Sequence, residues 1–154
     1  MIRFEHLNFA TSQEINEHNK ICEKDFPNVK IELSTHLEND DIKHLKGCLN
    51  TIENINKERQ KYKIPVYFKP FLNSSEVTSW YSNKCSINRK CYFIWKSLFI
   101  TPSGDVTLCQ FLVYKLGNIK DNSLEEIWNS KRYRKLRLRL KKGLLPGCSR
   151  CCKL

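Results

Sequence analysis

Ile100-Thr-Pro-Ser-Gly-Asp-Val-Thr-Leu-Cys109 lies between Cys91 on one side and Cys148-Ser-Arg-Cys151 on the other. This stretch decides how the chain is read. Pro102-Ser-Gly-Asp105 is a turn signal between two short apolar runs, Leu98–Thr101 and Val106–Cys109, and it predicts a hairpin. Gly104 permits the tight turn. Pro146-Gly147 turns the chain again just before Cys148. Four thiols therefore fall in three places, each beside a turn, from which they can converge on one metal centre once the chain folds back. A ligand thiol must be deprotonated and must point at a centre shared with the others. The C-x-x-C pair does this from a single turn, whose backbone N–H groups also point at sulfur. Zinc and redox sites use the same pair, and thiolates alone do not separate zinc from iron.

The 154 residues suffice for one ordinary domain or two small ones, and eight of them are cysteine. In a secreted chain that share reads as disulfides. Met1-Ile-Arg-Phe-Glu-His-Leu-Asn-Phe9, however, shows no apolar run followed by a small-residue cleavage site. No segment of about 18 or more apolar residues is present to span a membrane. A cytoplasmic location with reduced thiols is expected, which moves the weight from disulfides to metal binding or catalysis.

The formal net charge is +11. Residues 1–85 carry 12 Lys/Arg against 12 Asp/Glu, whereas residues 86–154 carry 15 against 4, so the whole excess sits on the cysteine half. Most of it is one run, Lys131-Arg-Tyr-Arg-Lys-Leu-Arg-Leu-Arg-Leu-Lys-Lys142. This suggests an anionic partner there, a built-in anion, or both. The run lacks an aromatic stacking platform and a recognised nucleic-acid motif. Its interleaved Tyr and Leu read more simply as an amphipathic helix with a solvated basic face, so nucleic acid is not the expected partner.

Residues 1–82 read as strand then helix, three times over. Ile2–Leu7 is a short apolar run that predicts a buried strand. Thr11-Ser-Gln-Glu14 is a capping box opening a helix to about Lys24, with Ile15 and Cys22 on its face. Val29–Leu33 alternates as a second strand. A helix follows over about 38–62, with Ile42, Leu45, Leu49, Ile52 and Ile55 in one stripe. Ile64–Phe68 is the third strand, stopped by Pro70, and Ser74 or Ser75 is expected to cap a short helix ending near Tyr81. The pattern implies parallel strands with helical crossovers whose outer edges stay open.

Beyond a polar linker at 82–86, Leu116-Gly-Asn-Ile-Lys-Asp121 reads as a second turn. Ser123-Leu-Glu-Glu126 is another capping box, opening a helix with Leu124, Ile127 and Trp128 on one face. A further helix follows, with Tyr133, Leu136 and Leu140 inward, and Gly143 ends it. The expected fold is α/β: three strand–helix units over 1–82, then a small cysteine-rich hairpin with helices over 83–154.

The arrangement Cys91, Gly104, Cys109 and Cys148-x-x-Cys151 resembles the SPASM domain, the C-terminal extension of many radical S-adenosylmethionine enzymes. Ile100–Cys109, Leu116-Gly-Asn-Ile119, Ser123-Leu-Glu-Glu-Ile-Trp-Asn129, Tyr133-Arg-Lys-Leu-Arg137 and Gly143-Leu-Leu-Pro-Gly-Cys148 carry the likeness over about 85–154. The resemblance implies an auxiliary [4Fe–4S] cluster on Cys91, Cys109, Cys148 and Cys151, whose negative charge nearby Lys and Arg offset. Residues 1–82 look like the last three units of the partial barrel of those enzymes. Two features depart from the family. The C-x3-C-x2-C that holds the catalytic cluster is missing, as is the glycine-rich S-adenosylmethionine segment. The further cysteines that hold a second auxiliary cluster are also missing, which implies a single-cluster form. This chain is then a fragment or a subunit, its expected partner a radical S-adenosylmethionine core chain or a substrate peptide or protein, and radical chemistry with S-adenosylmethionine, of an oxidoreductase or a peptide- or protein-modifying class, comes only when a partner supplies the missing core. The alternative is a zinc-stabilised basic binding module without enzymatic activity.

Cys152 is a spare thiol, and Cys85 is a poorer fit than Cys91 to the spacing before Gly104. Cys22 and Cys48 lie on apolar helix faces and are expected to fill core. His6, His18, His36 and His44 are expected to be hydrogen-bonded structural histidines. Trp80, Trp95 and Trp128 are expected to pack in the core or at its rim.

Overall fold

The computed structural model describes residues 1–27, 32–33, 45–63 and 65–154. The fold is mixed α/β, as expected. In chain order it runs β1 (Ile2–Glu5), α1 (Ser12–Asp25), β2 (Glu32–Leu33), α2 (Leu45–Tyr62), β3 (Val66–Lys69) and α3 (Ser74–Trp80). The second half holds β4 (Phe99–Ile100), β5 (Asp105–Thr107), β6 (Leu112–Val113), β7 (Lys115–Asn118), α4 (Leu124–Asn129) and α5 (Lys131–Lys141). Short 3-10 turns occur at Phe93–Trp95 and Pro146–Cys148. The start of the predicted second strand, the start of the long helix with Ile42, the first residue of the predicted third strand, and His36 and His44 lie outside the described residues.

β1 and β3 pair in parallel, from Ile2 opposite Val66 to Glu5 opposite Lys69. β2 does not join them. It pairs antiparallel with β6 of the cysteine half, Glu32 opposite Val113 and Leu33 opposite Leu112. The expectation of three parallel strands holds for the outer two units and is corrected for the middle one. β1 is also mostly exposed rather than buried. Among the described residues its one hydrogen-bonded neighbour is β3, and parallel strands become buried only when helices cover both faces.

Helix α1 opens on the predicted capping box. Thr11 Oγ1 accepts the Glu14 N–H at 3.3 Å, and the Glu14 carboxylate accepts the Thr11 N–H at 3.0 Å. Its buried face is Glu14, His18 and Cys22, with Phe26 following, a stripe spaced by four. The sequence pattern had marked Ile15, which is only half-buried. For α3 the cap is Asn73, not Ser74 or Ser75. Asn73 Oδ1 accepts the Glu76 N–H at 2.9 Å, and Glu76 returns the bond to the Asn73 N–H at 3.0 Å. The Asn-x-x-Glu spacing at 73–76 forms a reciprocal box that neither serine can form.

The predicted hairpin is β4 and β5, with Gly104 at φ +88°. A Cβ at residue 104 would stand 2.9 Å from Asn118 Oδ1, in a backbone conformation that L side chains rarely adopt. Gly104→Ala is expected to cost about 1–3 kcal/mol, read as a fall of several degrees in the thermal midpoint. A fall below about 1 °C would show that the turn relaxes freely. Residues 116–118 belong to strand β7, which pairs with β5, so the second turn begins later than predicted. Its Asn118 Nδ2 donates to Asp105 Oδ1 at 2.8 Å, fastening β7 to the hairpin turn.

One core joins the halves. Cys22 of α1 and Phe26 just after it pack with Val106, Leu112, Ile127 and Leu136 among the buried residues of the cysteine half. Each such fully buried side chain contributes about 1.5–3 kcal/mol. A smaller cluster of Phe9, Leu72 and Trp80 lies under β1 and β3, with Cys48 packed against it. His6 is buried there and shares a 3.0 Å hydrogen bond between Nδ1 and Tyr81 Oη. No described helix is long and apolar enough to cross a membrane.

Candidate metal centre

Three chain segments carry the four predicted ligands, and each is fixed by a different device. Cys91 precedes the turn Phe93–Trp95. α5 holds that turn: Tyr133 Oη donates to the Ile94 carbonyl at 2.8 Å, and Arg137 Nε donates to the same oxygen at 3.3 Å. Arg137 is buried, with its guanidinium 3.8 Å from the Tyr133 ring centre and 4.0 Å from that of Trp128. The basic run is thus not wholly a solvated face, because one of its arginines is enclosed by aromatic rings.

Cys109 follows a bulge between Val106 and Thr107, where β5 changes its pairing with β7. Bulges re-aim the side chains that come after them. The Leu112 N–H donates to Cys109 Sγ at 3.2 Å.

The Cys148–Cys151 turn is held from α1. The Gly147 N–H donates to Nδ1 of the buried His18 at 3.3 Å, and Ser149 Oγ donates to the Pro146 carbonyl at 2.8 Å. Arg150, inside the C-x-x-C, has a fully buried side chain. Its guanidinium donates to the Glu14 carboxylate, to the Trp80 carbonyl and, at 2.6 Å, to the Ser82 carbonyl, and stands 4.2 Å from the Phe9 ring centre. Glu14 also accepts the Cys85 N–H at 2.9 Å. The Lys153 N–H donates to Cys151 Sγ at 3.4 Å.

Cys91, Cys109, Cys148 and Cys151 all line one cavity of about 30 Å³, walled by Ile94, Leu108 and Leu140 among others. Cys85 and Cys152 are not on that wall. Cys85 donates to the Ser149 carbonyl from the far side of the turn at 3.7 Å, and Cys152 is buried beside a separate groove. Among the described residues no three His, Cys, Asp or Glu side chains are placed to hold a single metal ion. The thiols border a shared space without yet converging on one point.

Burial pushes three of the thiols above their ordinary range. For Cys148 the push is large, and Cys109, Cys151 and Cys91 add to it. The residue is half-buried overall, but its sulfur is enclosed. Cys151 is pushed up to about 12, first by burial and then by Cys152, Cys109 and Cys91, against the pull of the Lys153 N–H. Cys109 rises by burial while the Leu112 and Phe111 N–H groups pull it down. All three are neutral at physiological pH, so metal must expel their protons on binding. Titrating the metal-free protein with Co²⁺ in weak buffer is expected to release about two or more protons per chain. The apparent affinity should fall with decreasing pH, because protons compete for the same sulfurs. Proton-neutral, pH-independent binding would place the metal elsewhere.

Glu14, His18 and Arg150 are the site residues that sequence reading missed. Glu14 carried a capping signal that hid its second role, and Arg150 was visible only as a variable position of C-x-x-C.

Residues 91–152 match the family model of SPASM, an iron–sulfur cluster-binding domain. Comparison with curated proteins and with solved structures finds no match.

Proposed function

We propose that the chain binds one auxiliary [4Fe–4S] cluster through Cys91, Cys109, Cys148 and Cys151. In this reading it serves as the C-terminal part of a radical S-adenosylmethionine enzyme, as a fragment or as a subunit. The observation that carries the ligand set is four thiols from three segments bordering one cavity, within the stretch that matches a cluster-binding domain. The residues suit the group. All four donors are sulfur, two of them already receive backbone N–H groups, and Lys153 borders the same cavity to offset anionic charge. A cavity of about 30 Å³ has room for about two waters, so loading the cluster spreads the four side chains. When bound, the cluster supplies a one-electron centre that positions substrate or passes electrons.

Residues 1–82 are, in the same reading, the end of a partial barrel, supported by the parallel pairing of β1 with β3 and by the exposure of most of β1. The sequence holds no C-x3-C-x2-C. A radical S-adenosylmethionine core chain would therefore supply the catalytic cluster and the cosubstrate, in the reducing cytoplasm, for action on a peptide or protein.

Anaerobic purification is expected to give a brown protein with about four irons and four sulfides per chain. A colourless protein carrying one zinc overturns the cluster and leaves the zinc-stabilised binding module. For the subunit reading, co-expression with a neighbouring chain that carries C-x3-C-x2-C is expected to yield a stable complex that cleaves S-adenosylmethionine. Failure to associate overturns it.

A further inference from the structure

Residues 85–91 belong to no helix and no strand, yet they are patterned like a strand. Cys85, Ile87, Arg89 and Cys91 are half-buried, while Ser86, Asn88 and Lys90 between them are exposed. A period of two is that of an extended backbone. The inward side chains anchor it. Cys85 Sγ donates to the Ser149 carbonyl at 3.7 Å, and Ile87 packs against the cluster of Phe9, Leu72 and Trp80. Arg89 donates to the Glu76 carboxylate at 2.8 Å and to the Phe71 carbonyl at 2.7 Å. At the start of the segment the Ser86 N–H donates to Ser79 Oγ at 2.9 Å. From Ile87 to Cys91 no backbone N–H or carbonyl has a hydrogen-bond partner among the described residues.

A groove of about 330 Å³ runs beside this segment, with Ile87, Leu144, Leu145 and Pro146 as its apolar lining. Its two acids are already paired, Glu14 with Arg150 and Glu17 with Lys84 at 3.0 Å. Residues 77–104 hold Lys84, Arg89, Lys90 and Lys96 and no Asp or Glu. Lys90 and Lys96 have no carboxylate partner among the described residues.

We propose that residues 86–91 are an edge onto which an extended, acidic segment of a partner polypeptide adds as a strand, with some of its side chains entering the groove. An unpaired extended backbone is a template for another strand. In such additions the main-chain bonds supply affinity and the pockets for alternate side chains supply specificity. The repeated N–H and C=O groups select the occupant, because neither a nucleic-acid strand nor a lipid surface has an amide ladder to answer them. The free cations select acidic side chains on it. The anchors on Cys85, Ile87 and Arg89 hold the edge in place beforehand, so docking orders little of this chain. The inference rests on the reading above only for the class of partner, a peptide or protein, and draws on neither the cluster nor its ligation.

The probe is an eight-residue peptide of alternating glutamate and valine, added to the protein as isolated anaerobically. At saturating peptide, hydrogen exchange over residues 87–91 is expected to slow about ten-fold. Methylating the backbone nitrogens of either the valines or the glutamates blocks one edge of the probe and keeps its charge. One of the two methylated probes should bind about ten-fold more weakly by fluorescence anisotropy. Lys90→Glu should weaken the parent probe about five-fold with iron content unchanged. Exchange that does not slow at 87–91, or equal affinity of both methylated probes with the parent, overturns the strand addition. So does displacement of the probe by an oligonucleotide of equal charge. Protection that appears without peptide and grows with protein concentration assigns the edge to a second copy of the chain and overturns it too. The iron assay decides the cluster separately. A colourless protein that protects 87–91 loses the cluster and keeps the docking, and a brown protein that does not protect them keeps the cluster and loses the docking.

Discussion

Arg150→Met is expected to cost about 3–5 kcal/mol of folding stability, a large share of the roughly 5–15 kcal/mol a domain holds. The arginine side chain is fully buried, and three groups depend on it: the Glu14 carboxylate and the Trp80 and Ser82 carbonyls. Removing it leaves a carboxylate in the interior with only the Thr11 and Cys85 N–H groups. The cost is that of a stranded charge rather than of one lost contact. Arg150→Met combined with Glu14→Gln should therefore recover about half of the loss, because an amide keeps an acceptor for those N–H groups without the charge. Arg150→Lys should rescue poorly, since one ammonium cannot reproduce the planar fork that reaches three acceptors. Denaturant unfolding under anaerobic conditions measures all three variants. A single variant within about 1 kcal/mol of the parent would show that the pair behaves like a surface salt bridge. The same arginine lies between Cys148 and Cys151, so iron release to a chelator should accelerate in step with the destabilisation.

This pair also marks where sequence reading stopped. The cysteine half was legible because its signals are local. A capping box needs two residues three apart, and Ser123 with Glu126 forms one as read. A tight hairpin needs a glycine at positive φ, and Gly104 supplies it. The inward face of α5 follows from its helical spacing, and Tyr133, Leu136 and Leu140 are all buried. The N-terminal half was less legible because its decisive contacts are long-range. A buried face made of Glu14 and His18 is not apolar, so no hydrophobic period reports it. Their long-range partners are Arg150, which pairs with Glu14, and Gly147, whose N–H donates to His18 Nδ1, each more than a hundred residues away. The pairing of β2 with β6 is equally invisible to a strand–helix count, since local alternation does not say which partner a strand finds. Arg137 reads as one more charge in a basic run until Trp128 and Tyr133 close around it.

Cys91→Ala, Cys109→Ala, Cys148→Ala and Cys151→Ala are each expected to drop iron from about four to below about one per chain. A cubane held at four corners loses its closed ligand set when one is removed. Cys109, Cys148 and Cys151 are pushed toward the protonated form by burial, which favours loss over retention. Cys22→Ala and Cys48→Ala should keep the brown colour, because Cys22 packs in the large core and Cys48 against the smaller cluster beside Trp80. Cys85 and Cys152 make the sharper controls. Both stand near the Cys148–Cys151 turn, yet neither borders the cavity. Cys85→Ala should retain iron, and if it bleaches the protein while Cys91→Ala does not, the first ligand is Cys85. Cys152→Ala should also retain iron. Loss there, with Cys151→Ala tolerated, would shift the second half of the pair by one residue. Parallel iron, sulfide and visible-absorbance measurements on all eight single variants decide the ligand set without recourse to any catalytic assay.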